Sequence, residues 1–366
     1  MHRTSVHWSR SVWKWAEVVP GTSGFLSGSV VHLHPTLRCN LACAHCYSSS
    51  SPHEREAVEL DVLVVLLGAL RSEGYATLSL SGGEPLLYPE IESLIRSASK
   101  LGFKVNVVTN ATVLSQRRLE RLASHLSLAA VSVDGAPARH DAIRRKEGAF
   151  QRAKSGIGLL ADAGVPFGIS FCVTRTSLPD VPWVYEFASS VGAKLLSLRP
   201  LAPVGRGQSL ATDQALTDTD LQRLAILTDL LDGQAEGAPR VHLDAARVSE
   251  LRKQRDEAFP VLTEDTVRLS LSEMVNPLIV DETGALVPFA YGVSRRYAVA
   301  GTTEPGEAIN VYRSRGAGAV RKLLESAFDS LPADESAYVD WYAHLTRASY
   351  AASPVELERG TYLAEV

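Results

Sequence analysis

The stretch VVHLHPTLRCNLACAHCY, residues 30–47, joins a β-branched apolar run to three cysteines within eight residues, Cys39, Cys43 and Cys46. Val30–Leu33 reads as a strand, and the cysteines follow at its C-terminal end with the spacing C-x3-C-x2-C. On a loop, that spacing lets three thiolates converge on one small object. A four-iron cubane cluster normally takes four cysteines, so three would leave one iron open to a substrate or cofactor. A structural zinc site of the Cys3His type is a second reading, with His32, His34, His45 or His53 as the fourth ligand. Zinc sites more often use C-x2-C pairs, and no second pair exists here. Three unrelated buried cysteines are the remaining reading.

Working outward, residues 30–200 repeat one unit: a short apolar run, then a helix-length amphipathic stretch. Strands are expected at Val30–Leu33, Ala76–Leu80, Lys104–Val108, Leu128–Val133, Pro166–Val173 and Lys194–Leu198. Helices are expected at Glu59–Glu73, Glu90–Lys100, Ser115–His125, Ala149–Ala163 and Pro182–Val191, several ending at or just before a glycine. Alternation of this kind means an α/β chain with a parallel sheet. The strands read as nearly continuous apolar runs, as strands covered on both faces do. An open doubly wound sheet and an incomplete barrel both fit. Either places the chemistry at the C-terminal ends of the strands.

Past Pro200 the pattern changes. Ala202–Ala215 reads as a loop, and Asp218–Leu231, Leu243–Glu257, Val320–Phe328 and Glu335–Ala351 read as helices. Pro277–Val280 and Ala285–Pro288 read as a β-hairpin around Asp281-Glu-Thr-Gly284. Trp8, Trp13 and Trp15 in residues 1–28 read as packing against the body.

Composition narrows the function classes. Among 366 residues, 45% are hydrophobic and 21% charged, which excludes a disordered chain. Lys+Arg 37 against Asp+Glu 41 gives a net charge of -4, so no nucleic-acid footprint is expected. The 4 cysteines cluster rather than spread, which excludes a disulfide framework and points to a reduced compartment and a bound metal. No signal core or membrane-length apolar run is found, so a cytoplasmic protein without membrane contact is expected.

A second motif, Ser81-Gly82-Gly83-Glu84-Pro85, ends the second strand. Its glycines let a ligand approach the main chain, and its carboxylate can accept from an ammonium group. Together the two motifs resemble the radical S-adenosylmethionine (radical SAM) superfamily, whose signature is C-x3-C-x-aromatic-C after the first strand and Gly-Gly-Glu after the second. The resemblance covers roughly residues 29–207. It implies a partial (β/α)6 TIM-like barrel, with 1–28 as an N-terminal segment and 208–366 as a C-terminal α+β extension of SPASM or twitch type. It also implies one [4Fe-4S] cluster held by Cys39, Cys43 and Cys46, with S-adenosylmethionine on the open iron. In the family, one electron cleaves the sulfonium to a 5′-deoxyadenosyl radical, which abstracts a hydrogen atom from substrate.

Further roles are carried by the same resemblance. His45 would lie near the adenine, and Gly82, Gly83 and Glu84 would hold the methionyl amino group. Thr109-Asn110-Ala111 resembles Thr-Asn-Gly, with Ala111 in place of glycine, so a different turn is expected there. Ser132-Val133-Asp134-Gly135 resembles Ser-Leu-Asp-Gly. Ser132 would reach the ribose or carboxylate region, while Asp134 belongs to the cofactor site or caps the following turn. Arg144 would pair with the methionyl carboxylate, against a surface helix arginine. Pro203-Val204-Gly205-Arg206-Gly207 also resembles the family, and Arg199 and Arg206 would meet a carboxylate on cofactor or substrate, or be solvated loop arginines. Phe289 stands where the SPASM hairpin has cysteine, so the hairpin is expected as a lid or substrate wall without an auxiliary cluster. Cys172 is read as core packing, with a catalytic hydrogen-atom donor as the alternative.

The function expected is peptide maturation in a ribosomal natural product pathway. Alternatives are a small-molecule or tetrapyrrole side-chain enzyme, and a non-catalytic iron–sulfur or zinc scaffold. Expected partners are a flavodoxin or ferredoxin as electron donor and a separate peptide-recognition protein.

Overall fold

The computed structural model describes residues 29–234, 236–263, 268–300 and 305–351. The tryptophan-bearing segment 1–28 lies outside the described residues. From Ser29 onward the strands are β1 (Ser29–Leu33), β2 (Tyr75–Leu80), β3 (Lys104–Thr109), β4 (Leu128–Ser132), β5 (Phe167–Val173) and β6 (Leu195–Pro200). They pair in sequence order and all run parallel. The crossovers carry α1 (Leu60–Ser72), α2 (Ile91–Lys100), α3 (Gln116–Leu122), α4 (Pro137–Arg144), α5 (Ala149–Asp162) and α6 (Val181–Ser190). The architecture is α/β, a partial (β/α)6 barrel.

Side chains alternate across each strand. One set, including Val31, Leu78, Val105, Ile169 and Leu196, packs into a single core with the leucines of α1 and the apolar stripe of α2. The other set faces the barrel interior and is polar: His32, Ser79, Asn106, Ser132, Ser170 and Arg199 all line one cavity. The expectation of strands apolar on both faces is therefore corrected. Helices cover the outside, while the inside carries these polar groups beside Val30, Val108, Leu128 and Ala130. Cys172 belongs to this inner set and not to the core.

The chain after residue 207 extends the same sheet at both edges. It contributes α7 (Gly207–Gln214), α8 (Asp218–Leu231), β7 (Arg240–Leu243), β8 (Ala246–Arg247), β9 (Leu278–Val280), β10 (Ala285–Pro288), β11 (Val299–Ala300) and β12 (Tyr338–Val339). The sheet order is β11-β10-β9-β1-β2-β3-β4-β5-β6-β7, and β12 pairs with β8 separately. The hairpin β9–β10 is present at the expected residues and is fully buried. It hydrogen-bonds in parallel onto β1, so it is a stave of the barrel wall rather than a lid.

Three expectations fail in this part. Ala202–Ala215 contains a helix, α7, in place of a continuous loop. Leu243–Glu257 begins at the end of β7, which pairs with β6, and becomes helical only at Val248–Lys253. Glu335–Ala351 contains β12 before its helix starts at Trp341. By contrast α8 spans the expected residues. Its start is fixed by a capping box in which Asp220 N donates to Thr217 Oγ1 at 3.2 Å and Thr217 N donates to Asp220 Oδ2 at 3.1 Å.

Candidate functional site

The C-terminal ends of β1–β6 surround a cavity of about 390 Å³. The cysteine loop enters it from β1. Cys39 N donates to Ser51 O at 3.0 Å, and Ala44 N donates to Ile143 O at 2.9 Å, which ties the loop to α4. Cys39, Cys43 and Cys46 all line the cavity. Burial pushes the Cys39 thiol up to about 12 and raises Cys43 as well. Metal binding at these thiols must therefore displace protons.

The Gly82-Gly83 turn sits directly under this loop. Gly82 has φ +95, and a Cβ on it would meet His34 Cβ and Thr36 O at 2.9 Å. A Cβ on Gly83 would stand 2.3 Å from Arg38 O, so only hydrogen fits between the second motif and the first. Glu84 is buried and accepts from Thr109 Oγ1 at 2.7 Å, Asn110 N at 2.8 Å and Leu86 N at 3.2 Å. Burial raises its carboxyl, against the pull of those donors. Asn110 Nδ2 donates to Asn40 Oδ1 at 3.0 Å and lies 3.9 Å from Cys39 Sγ. Ala111 takes a left-handed turn, φ +56, a conformation that glycine adopts more easily. Space for its side chain comes from Gly156, where a Cβ would lie 2.9 Å from Ala111 Cβ.

Asp134 is a hub rather than a turn cap. Its Oδ2 accepts from Arg144 Nε at 2.6 Å and lies 2.9 Å from His45 Nε2, while Oδ1 accepts from Cys172 N at 3.3 Å. Burial alone would raise this carboxyl, but Arg144 and His45 outweigh it and hold it well below the usual carboxylate range. Arg144 is buried, which excludes the surface reading, and its NH1 reaches within 3.7 Å of Cys43 Sγ. Ser132 and Cys172 face the cavity beside this network.

Arg199 and Arg206 have different roles from those expected. Arg199 is paired with Asp244, Nε to Oδ2 at 2.7 Å. Arg206 grips the cysteine loop: it donates from Nε to Cys43 O at 2.8 Å, from NH1 to Ser49 O at 2.7 Å and from NH2 to Ser50 O at 2.8 Å. Its own N donates to Cys46 O at 2.9 Å. Gly205, at φ +57, brings this strap so close that a Cβ would stand 2.3 Å from Tyr47 O.

Sequence reasoning missed Tyr47, whose hydroxyl bonds Ser81 Oγ at 2.9 Å and His34 Nε2 at 3.1 Å. Its place next to Cys46 was the available signal. It also missed Asp340 and Tyr342, which line the cavity from beyond residue 335 and carry no local mark. Phe289, at φ +64, is buried edge-on against Phe259.

Among the described residues, no three His, Cys, Asp or Glu side chains close around a point where one ion would sit. Of the four candidate zinc ligands, two are engaged elsewhere, His34 with Tyr47 and His45 with Asp134. The donor set fits a larger object: three thiols on one loop, glycines that clear space beneath them, and acceptors around the rim.

Residues 33–186 match the family model described as the Radical SAM superfamily. That segment is a radical SAM domain. An AdoMet-dependent heme synthase of Methanosarcina barkeri is 35% identical over 175 residues, 47% of this chain and 50% of that protein. The sporulation killing factor maturation protein SkfB of Bacillus subtilis is 30% identical over 176 residues, 48% of this chain and 43% of that protein. The chain thus spans about half the length of the curated relatives it matches. Among solved structures, Streptococcus suis SuiB bound to precursor peptide SuiA superposes with TM-score 0.63 at 16% identity, covering 81% of this chain and 67% of that one. Native anSMEcpe with bound AdoMet and Kp18Cys peptide gives TM-score 0.60 at 16% identity, covering 88% and 96%. At such identities the likeness is one of fold, the radical SAM partial barrel. The cofactors of the superfamily are a [4Fe-4S] cluster and S-adenosylmethionine. Among the described residues no helix is long and apolar enough to cross a membrane.

Proposed function

We propose that this chain is a radical SAM enzyme that modifies a peptide, in the manner of maturases of ribosomally made natural products. The observation that carries the chemistry is the meeting, in one cavity, of the three thiols of the cysteine loop with the Gly82-Gly83-Glu84 turn and the Asp134–Arg144 pair. Cys39, Cys43 and Cys46 would hold the cluster, with Gly82, Gly83, Glu84, Asn110, Ser132 and the Asp134 hub around S-adenosylmethionine. When bound, that pair supplies a one-electron cleavage of the sulfonium and a carbon radical that takes a hydrogen atom from substrate.

This chain's own residues do the holding. Arg206 fixes the carbonyls of the loop, so the thiols keep one geometry. Arg144, bonded to Asp134, sets a positive charge beside the Cys43 sulfur. Burial around Cys39 and Cys43 limits the access of water to the reacting centre. Peptide substrate is supported by SkfB among the relatives and by the peptide complexes sharing the fold. A tetrapyrrole substrate is the second reading, favoured by the heme synthase relative.

The test is anaerobic reconstitution and reduction with dithionite. Formation of 5′-deoxyadenosine, lost in Cys43→Ala, is expected. A colourless, zinc-loaded or inert product would refute the proposal.

A further inference from the structure

The cavity has a second polar end, built by elements that the cysteine and glycine motifs do not use. Asp244 follows β7, and its Oδ2 is paired with Arg199 while Oδ1 lies 3.0 Å from His242 Nε2. Asp340 caps the helix Trp341–Ala351, with Oδ1 accepting from Ala343 N at 3.0 Å. It lines the cavity together with Tyr342. Among the described residues no cation stands within ion-pair distance of Asp340, although Arg347 acts on it at longer range. Arg199 is already matched by Asp244 and is not the counter-charge of Asp340.

An independent observation points the same way. Three side chains lining the cavity and more than nine-tenths buried have an atom without a hydrogen-bond partner: Asn106 Oδ1, Thr77 Oγ1 and His34 Nδ1. Buried polar atoms of this kind normally meet a ligand or water. The Asn106 oxygen can only accept, and the other two can accept. A lining with an unmatched carboxylate and open acceptors is complementary to a ligand rich in N–H donors.

We propose that the substrate of this site presents a cationic nitrogen, an ammonium or a guanidinium, to Asp340, with the barrel acceptors taking further N–H groups. This rests on the reading of the cavity as a substrate site and narrows it. A peptide bearing lysine, arginine or a free α-amine fits. A tetrapyrrole edge carrying carboxylates brings like charge to Asp244 and Asp340 and does not. Burial lifts the Asp340 carboxyl to about 6, against the Ala343 amide, so it is largely ionised at neutral pH and a bound cation would hold it so.

The test uses the full chain and small probes, by calorimetric titration at pH 7.5. Agmatine, cadaverine and glycinamide stand for the guanidinium, lysyl and α-amine sources, and glutarate for a carboxylate ligand. At least one cationic probe is expected to bind at least roughly tenfold more tightly than glutarate. Asp340→Asn keeps the capping ability but not the charge, and is expected to lose that preference. Asp340→Glu is expected to restore part of it, and the melting temperature of each variant reports folding. Glutarate binding as well as every cationic probe, or an unchanged preference in a folded Asp340→Asn, overturns the proposal. Cleavage of S-adenosylmethionine by the unmodified chain is measured separately. Its absence would refute the radical reading, and the probe comparison decides the cation site in either case.

Discussion

Replacing Arg206 by alanine removes three side-chain hydrogen bonds from the carbonyls of Cys43, Ser49 and Ser50. Each such bond contributes about 1 kcal/mol net where solvent can replace it, and more where it cannot. One of the three is exposed and two are half-buried, so the loss is about 3 kcal/mol. Concentrated on the loop, that shifts the balance between its gripped and released forms roughly a hundredfold. The consequence is read in the cluster rather than in the fold as a whole. Reconstituted Arg206→Ala should give up iron to a chelator on the order of a hundred times faster than the unmodified chain, with a weaker visible absorbance per protein. Arg206→Lys, which can reach only one or two of the carbonyls, should fall between. Arg121→Ala, whose partner Glu92 is also near the surface, serves as the control. Iron release at the same rate in Arg206→Ala and Arg121→Ala would refute the argument that this guanidinium fixes the loop.

Other outcomes follow from the same geometry. Gly83→Ala places a methyl against the carbonyl of Arg38 and should cost the cluster even where the chain folds, as iron content will show. Ala111→Gly relieves a left-handed alanine worth about 1–2 kcal/mol, partly offset by chain entropy. A higher urea midpoint is expected, and a lower one would contradict the strain. Iron should stand at roughly four per chain, because Phe289 fills the hairpin position where an auxiliary site would begin. Burial holds His34 at about 3 and His140 at about 4, so both are neutral in the native state. Below their unfolded value of 6.5 the unfolded chain binds protons that the native chain refuses. Stability therefore falls as pH drops from about 6.5, by roughly 2 kcal/mol per histidine at pH 5. A urea midpoint of the cluster-free protein equal at pH 7.5 and pH 5 would rule this out.

Much of the barrel was legible because its signals are local. Each of the five expected helices, α1, α2, α3, α5 and α6, either carries its own apolar stripe or starts beside a proline, whereas the short α4 is not among the expected elements. The strands β1–β6 end within two residues of their expected places. The polar inner face was present in the alternation, in Ser170 and Cys172 between Ile169, Phe171 and Val173, but hidden by the apolar half of each strand. What the sequence concealed depends on distant partners. β7 holds as a strand because β6 is beside it, and its last residue, Leu243, read alone, merges into the helix that follows. Arg206 looks like a loop arginine until the carbonyls of the cysteine loop are placed around it. Asp340 sits far from every motif and becomes part of the cavity only when its helix docks. Asp134 stands out in its own motif, but its three simultaneous partners come from distant parts of the chain.

The pairing of β9 with β1 also bears on how the protein is made. Val31 finds its neighbour Leu278 only after most of the polypeptide has left the ribosome. Until then the first strand has an open edge, and the thiols that follow it stand beside an incomplete wall. Non-local closures of this kind form slowly and expose unpaired strand edges meanwhile. Assembly factors that deliver iron and sulfide would therefore meet a finished pocket only near the end of translation, and a stalled or shortened nascent chain would leave its cysteines open to oxidation.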